Sequence, residues 1–109
     1  MKRKDFREIT EDENIEKLIK SEGIQNTKYI IQEELGELQK EISKDLRGKL
    51  NRNNFLEEMA DVVIVMHMAK FIYNISDEEL EEWVNKKMKR NLERNGLWKK
   101  WKSEVKYGW

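Results

Sequence analysis

Apolar residues recur along this chain at steps of three and four, the spacing of one face of an α-helix. Ile15, Leu18 and Ile19 predict a short first helix, opened by the capping-box pair Thr10 and Glu13 and stopped at Gly23. Ile30, Ile31, Leu35, Leu38, Ile42 and Leu46 form the stripe of a second helix, expected from Asn26 or Thr27 to about Asp45. Gly36 lies inside it, at a cost of about 1 kcal/mol relative to Ala. Such a glycine suits close approach of another helix or a ligand, and equally suits tolerated slack. The polar segment from Arg47 to Asn54 reads as a connection, with Asn53 or Asn54 capping the next helix.

The third helix, about Phe55 to Asn74, has a different pattern. From Met59 to Ile75 it is apolar on nearly every face, interrupted mainly by Asp61, His67, Lys70 and Asn74. A helix apolar all round needs cover on all sides, and one small domain can hardly supply it. The pattern therefore predicts a second subunit over one face. Ser76 and Glu79 make another capping box, opening a fourth helix through about Asn95, before Gly96. Leu80, Trp83, Val84, Met88 and Leu92 are its packing stripe. The expected class is all-α, an antiparallel four-helix bundle in a single domain over residues 1–109.

Composition sharpens this picture. The chain has 109 residues, no proline and only five glycines, so little interrupts long helices. Charged residues reach 40%, with 22 basic and 22 acidic, a formal net charge of zero. That balance argues against whole-molecule attraction to nucleic acid or to an anionic membrane. Absence of cysteine excludes disulfides and thiolate metal sites and suits a reducing cytoplasm. The basic start, Met1 to Asp5, leads into no apolar run, unlike a signal peptide. The longest apolar run, Val62 to Met66, is far shorter than the roughly 20 residues of a membrane span. The expectation is a cytoplasmic protein.

Two acidic segments carry the candidate chemistry: Glu33-Glu34-Leu35-Gly36-Glu37 on the second helix and Glu57-Glu58-Met59-Ala60-Asp61 at the head of the third. Residues three or four apart project together on a helix, which pairs Glu34 with Glu37 and Glu58 with Asp61. On antiparallel helices the two pairs can meet across one interface. Four converging carboxylates need a counter-charge to stay ionised. A hard divalent cation supplies one, and magnesium typically bridges protein carboxylates to substrate phosphates. Taken singly, Glu33, Glu41 and Glu57 read as solvated residues on helices rich in lysine. Asp61 sits where the helix turns apolar, where an unpaired carboxylate is costly.

These two motifs, Glu-Glu-x-x-Glu and Glu-x-x-Asp with 20 residues between Glu37 and Glu58, resemble the signature of the MazG-like all-α nucleoside triphosphate pyrophosphohydrolases. The resemblance covers roughly Thr27 to Arg94. It implies that Glu34, Glu37, Glu58 and Asp61 are magnesium ligands, with manganese a substitute. It implies that Glu33 is an outer ligand or orients the attacking water, and that Glu33, Glu34 and Glu37 form the catalytic motif. It also implies cleavage between the α- and β-phosphates of a nucleoside triphosphate, by a homodimer or homotetramer. Lys87, Asn91 and Arg94, at steps of four and three on the fourth helix, match the family's basic stretch and would contact substrate phosphates. The basic end of that helix is also what the helix dipole favours.

The remaining chemistry-bearing residues have plainer readings. His67 fits a core or interface histidine, and its distance from Asp61 differs from the pattern of the related phosphoribosyl-ATP pyrophosphohydrolases. Trp98, Trp101 and Trp109 stand beside Lys99, Lys100 and Lys102 in a tail over residues 95–109. Stacking on a nucleobase competes there with packing between subunits. A second class of function is a non-enzymatic helical interaction module, with its acidic face and basic tail binding protein or nucleic acid.

Overall fold

The computed structural model describes Glu8 and residues 13–97. Thr10 of the first capping box, and Trp98, Trp101 and Trp109 of the tail, lie outside the described residues. Four helices account for the regular structure described: α1 Glu13–Glu22, α2 Ile24–Leu46, α3 Arg52–Ile72 and α4 Asp77–Arg94. No strand occurs among the described residues. No helix among them is long and apolar enough to cross a membrane. The chain divides between Asn74 and Ile75 into two compact units.

In the first unit, α1 hands over to α2 at one residue. Gly23 donates its amide to the Ile19 carbonyl at 2.8 Å and adopts φ 83°, ψ 152°, a backbone region essentially restricted to glycine. It both stops α1 and begins α2, which therefore starts ahead of the expected Asn26 or Thr27. Thr27 does not cap. Its hydroxyl turns back and donates to the Gly23 carbonyl at 2.7 Å, so this side chain, only 1% exposed, is buried with its polar atom satisfied.

The cap of α3 is Asn51, rather than Asn53 or Asn54. Its side-chain oxygen accepts from the Asn54 amide at 3.0 Å, leaving the other two asparagines inside or next to the first turn. The helix ends at Ile72, short of the expected Asn74. Asn74 takes φ 53°, the left-handed conformation that asparagine tolerates better than most residues. The heaviest interhelix packing is between α2 and α3, and α1 packs on both. Helices joined by so short a connection, residues 47–51, and packed together in this way run antiparallel.

The core of this unit is small: Ile15 and Ile19 from α1, Val65 and Met68 from α3, with Ile30, Ile31 and Ile72 packed against them. Other apolar residues stay open. Leu35, Ile42 and Leu46 on α2 are 44%, 45% and 83% exposed, and Leu56, Met59 and Met66 on α3 are 49%, 45% and 42% exposed. The expected stripe of α2 is thus covered only in part, at Ile30, Ile31 and Leu38. The all-round apolar character of α3 is matched by cover on only part of its surface.

In the second unit, α4 follows the sequence expectation closely. The Ser76 side chain accepts from the Glu79 amide at 3.1 Å, and Asp77, Glu78 and Glu79 occupy the positive end of the helix dipole. The helix closes through Leu97 donating to the Leu92 carbonyl at 2.8 Å. Its expected packing stripe is covered only in part: Leu80 and Leu92 are half-buried, whereas Trp83 is 55% exposed and Val84 46%. Trp83 instead carries the Lys86 ammonium 4.8 Å from its ring centre.

Candidate metal centre

Glu34 projects from the middle of α2, and Glu58 and Asp61 from the second and third turns of α3. One carboxylate oxygen from each of these residues lies within 4.8 Å of the others. All three are half-buried. The spacing of three in Glu58-x-x-Asp61 puts both α3 carboxylates on the face turned to α2, as the sequence predicts.

The electrostatics are those of a place short of positive charge. Partial burial raises the Glu34 pKa above the usual glutamate value; the Asp61 charge, a hydrogen bond with the Asp61 carboxylate, and the charges of Glu58 and Glu37 add to it. Glu58 is also pushed up, first by desolvation, then by Asp61, Glu37, Glu57 and Glu41. Its Oε2 is buried and accepts no hydrogen bond from the protein. An acceptor with no donor is expensive to bury. The chemistry of this set is all-oxygen and anionic, which fits a hard divalent cation such as Mg²⁺ or Mn²⁺.

The other predicted residues are placed in distinct ways. Glu37 is exposed and bonded to Lys40 at 3.1 Å, yet it lies near enough for its charge to act on both Glu34 and Glu58. Glu33 is exposed on the same helix, as is Glu57 on α3. Lys87, Asn91 and Arg94 are exposed along α4 in the second unit. His67 is half-buried, its pKa lowered by desolvation and then by Lys70.

One residue escaped the sequence reading. Glu41 is not a solvated glutamate: it is 6% exposed, with Oε1 bonded to Lys44 at 3.1 Å and Oε2 buried without a partner. Its position seven after Glu34 places it on almost the same side of α2, and that spacing is the one signal that could have found it.

No protein-family model, curated protein or solved structure matches this chain.

Proposed function

We propose that this chain is a magnesium-dependent nucleoside triphosphate pyrophosphohydrolase of the all-α helical-bundle type, at work in the cytoplasm as a homodimer or homotetramer. The observation that carries the reading is the convergence of Glu34, Glu58 and Asp61 across the α2–α3 crossing, with a buried oxygen of Glu58 lacking any donor. Three carboxylates so placed repel one another and are half withdrawn from water, so the arrangement favours a cation over an empty acidic patch.

In this reading Glu34, Glu58 and Asp61 hold Mg²⁺, with Mn²⁺ able to replace it. Glu37, paired with Lys40 at the surface, would turn to the same cation. When bound, the cation would neutralise charge on the triphosphate and favour in-line attack by water. Glu33, exposed beside Glu34, orients that water and takes its proton. The water oxygen bonds to the α-phosphorus, the α–β bridging oxygen leaves with pyrophosphate, and the nucleoside monophosphate remains. Lys87, Asn91 and Arg94 supply donors to phosphate oxygens, as basic and amide groups at helical spacing suit. The open apolar residues of α2 and α3 are the surfaces on which subunits associate.

The test is pyrophosphate release from a panel of ribo- and deoxyribonucleoside triphosphates, with magnesium and with chelator. Magnesium-dependent release should fall at least 100-fold in Asp61→Asn while the helical circular-dichroism signal is kept. No release from any nucleotide by folded protein would remove the enzyme reading and leave the interaction module in its place.

A further inference from the structure

The apolar residues of α4 are left largely open. None of the helix is buried, and Trp83, Val84 and Met88 are 55%, 46% and 37% exposed. Leu80, Val84 and Met88 follow one another at steps of four, and Trp83 stands next to Val84. An apolar stripe on a helix so polar elsewhere marks a contact surface.

The charges along α4 say what this surface fits. Five acidic residues and no basic one lie from Asp77 to Glu82, and four basic residues and no acidic one lie from Lys86 to Arg90. The helix dipole accounts for charge in the first and last turns only, whereas Glu81, Glu82, Lys86 and Lys87 lie between them. Pairs within the helix need only opposite charges four apart, such as Glu82 with Lys86 at 3.1 Å. They do not require the acids to gather in one half and the bases in the other.

Counted outward from Val84, the helix is complementary to itself. Leu80 is matched by Met88, Glu78 by Arg90, Glu79 by Lys89, Glu81 by Lys87 and Glu82 by Lys86. An antiparallel copy centred on Val84 therefore sets apolar level with apolar and acid level with base. A parallel copy sets like charge against like. Glu79, Trp83, Lys86 and Arg90, at steps of four, three and four, share one flank of the stripe. Across that flank of an antiparallel pair, Glu79 of each copy meets the basic residues of the other.

We propose that α4 is a self-association surface, which binds α4 of a second copy of this chain antiparallel, about a two-fold axis beside Val84. Self-complementarity about one residue is what such a symmetric contact requires. The apolar stripe supplies attraction, and the two charged halves fix the direction. This surface is distinct from the open residues of α2 and α3, and it depends neither on the carboxylate centre nor on nucleotide chemistry. Asn91 and Arg94 lie beyond the paired stretch and stay open to the phosphate role proposed above.

The chain has no cysteine, so a single introduced one reports on its own position. A disulfide needs Cα atoms within about 7 Å, and in a two-fold pair of antiparallel helices only a residue beside the axis comes that close to its own copy. The experiment is mild oxidation of the full chain in chelator, scored by non-reducing electrophoresis. Val84→Cys should cross-link to itself about 10-fold faster than Leu80→Cys, or than Glu82→Cys on the opposite side of the helix. Leu80→Cys mixed with Met88→Cys should give the mixed dimer. Equal rates in Val84→Cys and Glu82→Cys would overturn the proposal, and so would ready self-cross-linking of Leu80→Cys, which marks a parallel pair. No cross-link in Val84→Cys would overturn it too, as when the chain's own residues cover the stripe. In the Val84→Cys background, Arg90→Glu should slow cross-linking and a further Glu79→Arg should restore it; failure to restore it with the helical circular-dichroism signal intact would refute the charge register. Should Glu79→Arg unfold the helix start, the mixed pair of Leu80→Cys and Met88→Cys decides the register.

Discussion

At the scale of single residues, the raised pKa values of Glu34 and Glu58 have a definite sign for stability. A carboxyl whose pKa is higher in the folded chain binds more protons folded than unfolded between the two values. Its contribution is fully present below the ordinary value of 4.5 and is lost as pH rises through the folded value. In chelator, the urea midpoint of wild type relative to a Glu34→Gln, Glu58→Gln double variant should therefore fall as pH rises above that range. Magnesium at neutral pH should restore it, because the cation replaces the protons. Parallel midpoints in the two proteins at every pH would show that these carboxylates do not feel one another. The same residues mark what the sequence makes legible. Glu34, Glu58 and Asp61 sit at spacings that force them onto facing helix sides, so their meeting is visible in the chain. The side of α2 that Glu41 occupies is legible from its spacing to Glu34, but its burial depends on how α3 crosses α2.

At the scale of elements, the helices are legible because apolar periodicity and caps agree; the ends are less so where several residues compete for one role. In Asn51-Arg52-Asn53-Asn54 three asparagines can cap, and the geometry of the connection selects the first. Asn51→Ala should cost about 1 kcal/mol and lower the thermal midpoint by about 4–8 °C for a domain of this size. The loss falls on the helix that carries Glu58 and Asp61. Gly36 offers the opposite change. A Cβ there would meet nothing within 4 Å in the chain, so the space favours slack over close approach. Gly36→Ala should raise the midpoint by a few degrees through helix propensity, worth about 1 kcal/mol. A lower midpoint would mean that another surface lies against Gly36 in the assembled protein.

At the scale of the molecule, the apolar residues outnumber the places the chain provides to bury them. Among the described residues four hydrophobic side chains make the buried core, while Leu35, Ile42 and Leu46 on α2 and Leu56, Met59 and Met66 on α3 remain open. Scattered exposed apolar residues are ordinary, but contiguous ones mark contact surfaces. The excess was readable in the sequence as a third helix with no polar face; which residues of it stay open was not, since that depends on how α1 and α2 lie against it. Analytical ultracentrifugation should give a mass twice or four times the 13.3 kDa of the chain. Met59→Glu and Met66→Glu together should shift it toward the single chain. A wild-type protein that stays monomeric at high micromolar concentration would show that these stripes serve another purpose.

The crossing that builds the centre has a consequence for time as well as for binding. The contacts between α2 and α3 link neighbouring helices, and chains dominated by such short-range contacts fold in microseconds to milliseconds. Closing this hairpin brings Glu34 toward Glu58 and Asp61, and until a cation arrives that approach is resisted by like charge. On the proposed metal-centre reading, an ion would meet a nearly closed hairpin rather than cause its closing. Opening would then have to separate the two arms from a shared ion, so magnesium should slow the unfolding rate and leave the refolding rate nearly unchanged.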